Sequence, residues 1–132
     1  MTFVFVYGTL RRGEPLHYMM RDAKFVSEGR IADDHFLALY DLGPYPAVSI
    51  CRDDVRHEVL GELYECDQIL IDRLDRVESE GSLYHRHTKL IQRDDDNTWV
   101  PAEIYIMYRD RLGPGARLIP SGDWKNVVEA SV

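Results

Sequence analysis

Phe3-Val4-Phe5-Val6-Tyr7-Gly8-Thr9-Leu10-Arg11-Arg12-Gly13 opens the chain with an unbroken run of β-branched and aromatic residues that stops at a glycine. A run without apolar-polar alternation predicts a strand over 3–7 buried on both faces, and therefore central in its sheet. Gly8 lets the backbone approach a ligand. The amides that follow, with the Thr9 hydroxyl, suit a carboxylate or an oxyanion. An ordinary strand-to-loop turn accounts for the same residues, so the stretch alone leaves function open.

Working outward, Pro15 to Asp22 predicts a short helix with Pro15 in its first turn, where a missing amide proton costs little. From Phe25 to Ile50 the sequence favours strands, with His35-Phe36-Leu37-Ala38-Leu39-Tyr40 leading into a Gly43-Pro44-Tyr45-Pro46 turn. Val59 to Cys66 reads as another strand. Asp67 reads as an N-cap, because Leu70, Leu74 and Val77 follow at i, i+4 and i+7 as one apolar face ending near Glu78. Tyr84 to Gln92 and Thr98 to Tyr108 read as paired strands across the polar turn Asp94-Asp95-Asp96-Asn97. The expected class is α+β, a mostly antiparallel sheet with few helices. No repeat or long linker interrupts it, so 1–132 is expected to be one domain.

Composition bounds the function. The 132 residues are 45% hydrophobic and 30% charged, enough for a globular core. Sixteen Lys and Arg against twenty-three Asp and Glu give a net charge of −7, a field that repels nucleic-acid phosphates and anionic lipid. Neither is an expected partner. The apolar run Thr2 to Val6 is far shorter than the ~20 residues of a membrane-spanning helix, and no basic segment precedes it, so the protein is expected in the cytoplasm. Cys51 and Cys66 lie in strand-like segments without CxxC spacing and read as buried free thiols.

Two further stretches could carry chemistry. In Leu74-Asp75-Arg76-Val77-Glu78-Ser79-Glu80-Gly81-Ser82-Leu83-Tyr84-His85-Arg86 an apolar helix ends in carboxylates. The helix's negative terminus disfavours the ionised form of Glu78 and raises its pKa, as suits a general base. A solvated helix end explains acids there equally well, and composition does not separate Glu78 from Glu80. His85 and His87 alternate on a strand, but no third ligand accompanies them, so they read as hydrogen-bonding side chains and no metal is expected. No nucleophile elbow, GxGxxG or P-loop pattern occurs. Tyr45, Tyr84, Tyr105 and Trp124 form an aromatic set suited to lining a pocket or filling a core.

Together these segments resemble the gamma-glutamylcyclotransferase-like superfamily, and within it the small bacterial and gamma-glutamylamine cyclotransferase branches. Val6-Tyr7-Gly8-Thr9-Leu10-Arg11-Arg12-Gly13 is similar to the family's glycine-loop signature, and Pro44-Tyr45-Pro46 to its second pocket turn. Leu74-Asp75-x-x-Glu78-Ser79, followed by Leu83-Tyr84-x-Arg86, resembles the segment with the catalytic glutamate. Ala102-x-x-Tyr105 and Ile119-Pro120-Ser121-Gly122-Asp123-Trp124 resemble the bacterial branch. The chain departs from the pattern at Ser79, where glycine is frequent, and at Glu80, a second acid.

The resemblance implies a small barrel-like sheet with flanking helices and a pocket beside the glycine loop. It implies Glu78 as general acid/base and Tyr7, Gly8, Thr9 and Leu10 as the loop that holds the substrate's glutamyl carboxylate and reacting carbonyl. Tyr45, Tyr84 and Tyr105 are carried over as further substrate-binding residues. The implied reaction, of acyltransferase or lyase type, turns a gamma-glutamyl amide into 5-oxoproline and a free amine, without metal or cofactor. The alternative is a non-catalytic protein that holds a small carboxylate in the same pocket. The amine half of the substrate and the oligomeric state are left open.

Overall fold

The central strand predicted over 3–7 forms as β1, Thr2–Val6, with Val4, Phe5 and Val6 buried. A computed structural model describes residues 1–31, 36–51, 57–78 and 83–125. The other strands are β2 (Lys24–Ile31), β3 (Leu37–Asp41), β4 (Pro46–Ile50), β5 (Val59–Cys66), β6 (Tyr84–Arg93), β7 (Trp99–Met107) and β8 (Arg117–Leu118). The helices are α1 (Gln68–Val77) and the single turn α2 (Arg109–Leu112).

Five of these strands close on themselves. In the order β1-β5-β2-β6-β7 each pairs antiparallel with the next, and β7 returns to β1 through a parallel pairing, Val4 opposite Glu103. The remaining strands continue as β4-β3-β8, with β4 joined parallel to β7 at Val48 opposite Ile106. One edge of β7 therefore serves two strands in succession. The sheet parts where β1 ends and β4 begins.

Closure places most of the buried apolar residues in two large clusters, with a third, smaller one around Ala38, Tyr40 and Cys51. Phe5, Leu63, Ile91, Ile104 and Trp124 belong to one cluster, and Val4, Val6, Leu70, Ile71 and Leu74 to the other, which brings α1 against the sheet. Because side chains of a strand alternate between faces, a strand serving both large clusters is apolar at successive positions, as β1 is from Phe3 to Val6.

Local sequence chemistry sets the elements that carry the site. The Asp67 side chain accepts the Leu70 N–H at 2.8 Å and caps α1. The buried face of that helix is Leu70, Ile71 and Leu74, whereas Val77, expected on it, is 41% exposed at the last turn. The β6–β7 hairpin runs in register from Tyr84 opposite Met107 to Gln92 opposite Trp99, and Asn97 supplies its positive φ of 60°.

Two local expectations are corrected. The helix expected over Pro15 to Asp22 is a single 3-10 turn, His17–Met20, without a side-chain cap and with only Met20 buried, too little apolar face to hold a longer helix. Pro46 begins β4 rather than ending a turn, because it sits opposite Asp41 at the ladder's first position, where a missing N–H is tolerated. Cys51 and Cys66 are free and buried, as expected. Among the described residues no helix is long and apolar enough to cross a membrane.

Candidate functional site

The parting of the sheet at β7 has to be repaired, and Tyr7 does so. Its hydroxyl donates to the Tyr105 carbonyl at 2.6 Å and accepts the Val48 N–H at 3.2 Å, so one phenol stands between β7 and β4 where a β1 residue would otherwise pair. Burial accordingly pushes the Tyr7 phenol well above its ordinary pKa. Beyond Tyr7 the chain turns at Gly8, where a Cβ would stand 2.7 Å from Pro46 Cγ, so only glycine lets the loop lie against the start of β4.

A cavity of about 390 Å³ opens at this parting. Every residue expected in the site lines it: Tyr7, Gly8, Thr9 and Leu10 from the loop, Tyr45 from the turn before β4, Glu78 from the end of α1, Tyr84 from β6 and Tyr105 from β7. The loop closes with an Arg11 N–H bond to the Gly8 carbonyl at 3.0 Å and a Leu16 N–H bond to the Thr9 carbonyl at 2.9 Å. Gly8, Thr9 and Leu10 donate no N–H to a hydrogen bond among the described residues. Three consecutive N–H groups on a cavity-lining loop are thus without an acceptor among the described residues, as a loop that receives an anion requires.

Glu78 is held over the same cavity by the way α1 ends. Its N–H bonds back to the Leu74 carbonyl at 2.9 Å, and one turn earlier Asp75 fastens the helix to the barrel. Asp75 accepts the Tyr105 hydroxyl at 2.6 Å and the Arg86 guanidinium at 2.9 Å and 3.3 Å on its two oxygens. Arg86 also reaches Glu103 at 2.6 Å. Burial pushes the Glu78 carboxyl up to about 7. The direction is the one expected from the sequence, and its cause is desolvation by burial; Asp75, one turn earlier, is paired with Arg86. Glu78's charge in turn helps raise the Tyr84 and Tyr105 phenols, after their own burial.

The tyrosines present rings rather than free protons. Tyr84 donates to the Pro46 carbonyl at 3.0 Å and so holds the turn that carries Tyr45, and the Tyr105 proton goes to Asp75. Tyr45, 39% exposed, stands at the rim. Trp124, grouped with these aromatics in the sequence, does not line the cavity, because its Nε1–H is drawn 3.0 Å from Glu14 in the core cluster with Phe5 and Leu63. Glu80 and Ser79 lie outside the described residues. His85 stacks on Tyr108 with ring centroids 4.0 Å apart, and no group of three candidate metal ligands occurs among the described residues.

The sequence reading missed Glu62. Only 1% exposed on β5, it accepts the Arg12 N–H at 3.0 Å and the Tyr64 hydroxyl at 2.9 Å on one oxygen, and approaches Arg11 Nε at 3.4 Å with the other. A signal was available: β5 is apolar on both faces, and a carboxylate in such a strand needs partners.

Comparisons with known proteins bear on the family and the fold. The family model for gamma-glutamyl cyclotransferase, AIG2-like, matches residues 4–126. A Vibrio cholerae relative is 35% identical over 122 residues, covering 92% of this chain and 93% of its own. YkqA of Bacillus subtilis is 32% identical over 124 residues, 94% of this chain, which spans only 41% of that longer protein. The human gamma-glutamylaminecyclotransferase is 34% identical over 110 residues, 73% of this chain and 65% of its own. Among solved structures, the AIG2-like protein of Mus musculus superimposes with a TM-score of 0.72 at 29% identity, over 86% of this chain and 80% of that one. A five-stranded barrel that parts beside a glycine loop, together with these matches, settles the family: the chain belongs to the gamma-glutamyl cyclotransferase, AIG2-like family.

Proposed function

We propose that this protein cyclises the glutamyl part of a gamma-glutamyl amide to 5-oxoproline and releases the amine, with Glu78 as general acid and base. The observation that carries the reading is one cavity holding both a carboxyl raised to about 7 and the three available N–H groups of Gly8, Thr9 and Leu10. The substrate's α-amine nitrogen attacks its own γ-carbonyl carbon and closes the five-membered ring. Glu78 accepts the proton that the amine loses and delivers it to the leaving nitrogen as the old amide bond breaks. A pKa near neutrality serves both steps. The loop N–H groups receive the substrate carboxylate and the developing oxyanion, a contribution of about 3–4 kcal/mol for a well-placed donor.

Nucleophile and electrophile belong to one molecule, so the pocket's further task is to hold the cyclising rotamer. Neither metal nor cofactor enters these steps. A small-molecule substrate, a single domain over 1–132 and a cytoplasmic setting belong to the same proposal. The free thiols Cys51 and Cys66 suit a reducing compartment, and burial pushes Cys66 up to about 12. The test is 5-oxoproline release from a panel of gamma-glutamyl amides that differ only in the amine. Release from at least one is expected. Tight binding of a small carboxylate without release from any would assign the pocket to a non-catalytic binding protein.

A further inference from the structure

The Ile119-Pro120-Ser121-Gly122-Asp123-Trp124 motif has no place in the cavity, yet it and Glu62 meet on the far side of the glycine loop. Glu62 pairs across the β1–β5 ladder with Val6, the last residue of β1, so its carboxylate stands where the chain leaves the sheet for the loop. Arg11 is buried but does not line the cavity; its guanidinium lies between Glu62 at 3.4 Å and Asp123 at 2.8 Å. Trp124 Nε1 donates to Glu14 at 3.0 Å, and Lys125 Nζ to the Arg12 carbonyl. This strap is tied to β5 two residues before Glu62, through the Leu60 N–H bond to the Gly122 carbonyl at 2.8 Å. Gly122 has a φ of +69°, and a Cβ there would run into the Glu58 backbone.

Residues 11, 12 and 14 are thus all held from outside the pocket, whereas residues 8, 9 and 10 line it. We infer that Glu62 is a positioning residue: through Arg11 and the Arg12 N–H, and with Asp123 on the outer side, it sets the loop whose N–H groups receive the glutamyl moiety. This rests on the cyclotransferase reading. Buried charge pairs are weak contributors to stability compared with apolar packing but fix one geometry, which is what a ligand-binding loop between two strands requires.

The test is kinetic. Glu62→Gln keeps shape and an acceptor oxygen but removes the charge that holds Arg11, and Asp123→Asn weakens only the outer contact. The loop touches the glutamyl moiety before and during reaction, so its displacement weakens uniform binding. KM for a turned-over gamma-glutamyl amide and Kd for 5-oxoproline are expected to rise together, about tenfold in Glu62→Gln and about two- to threefold in Asp123→Asn. A fall in kcat is expected alongside, because the same N–H groups receive the developing oxyanion, while the midpoint of the pH–rate profile set by Glu78 stays where it is. A lower kcat at unchanged KM, the signature of a smaller folded fraction, would overturn the proposal, as would no change in either variant. If Glu62→Gln does not fold, Asp123→Asn decides alone by the same criteria. A wild type that releases no 5-oxoproline refutes the cyclotransferase reading, and Kd for 5-oxoproline then decides the positioning role. A wild type that neither reacts nor binds refutes both.

Discussion

Two glutamates flank the same loop and have opposite surroundings. Glu62 is held by an arginine, a backbone N–H and a tyrosine hydroxyl, all aimed at its two oxygens. Glu78 is dominated by desolvation among tyrosine rings and apolar walls, and its carboxyl rises to about 7. A carboxylate given donors and a counterion is fixed in place and serves geometry. One deprived of them can exchange a proton near neutral pH and serves chemistry. The contrast explains why one small barrel carries two partly or wholly buried acids that are not redundant.

The comparison breaks most visibly at Glu62. Glu62→Ala removes one member of a buried pair and leaves Arg11 beside Asp123 alone, at an expected cost of about 3–5 kcal/mol, to be read from denaturant unfolding. A cost below about 1 kcal/mol would make the contact no stronger than a surface ion pair.

Glu78 should behave in the opposite way. Its folded pKa of about 7 lies above the unfolded value of 4.5, so the folded state holds a proton that the unfolded chain gives up between those values. Stability is then lost as pH rises from the lower value through the higher. Glu78→Gln, which resembles the protonated form, is expected to unfold like wild type at pH 4 and to be more stable at pH 8, by on the order of 2 kcal/mol after allowance for partial exposure. Equal stability at both pH values would mean the carboxyl is not desolvated.

A smaller effect sharpens the role of the loop's first residue. Tyr7→Phe leaves the Val48 N–H and one lone pair of the Tyr105 carbonyl without their partner, and about 1–3 kcal/mol should be lost. The loss should appear as faster hydrogen exchange at Val48 before it appears in turnover.

Much of this was legible because it is written locally. Asp67 and the apolar positions after it announce α1, the Asp94 to Asn97 turn announces the β6–β7 hairpin, and the glycine loop follows a run that could only be a buried strand. The cavity-lining residues followed from resemblance at those same stretches. What escaped depends on contacts between distant segments. The β1–β7 pairing spans nearly a hundred residues, and no local pattern marks it. Tyr7 reads as one residue of the substrate-holding loop until the parting of the sheet shows that its hydroxyl completes a ladder. Trp124 reads equally as a pocket or a core aromatic until Glu14 claims its N–H and the core cluster its ring. Glu62 is one acid among many in an acidic chain, and only the arrival of Arg11, Arg12 and Tyr64 from separate positions gives it a role.

The most direct test of the central claim, that Glu78 is the proton-transferring group, is kcat/KM for 5-oxoproline release from pH 5 to 9 in wild type and Glu78→Gln. Wild type is expected to rise through a midpoint near 7 and to climb further as the substrate's α-amine loses its proton. The variant should be slower by about 10²–10⁴ and keep only the amine's limb. Superimposable profiles, or a wild-type limb in the ordinary carboxylate range near 4.5, would contradict the assignment.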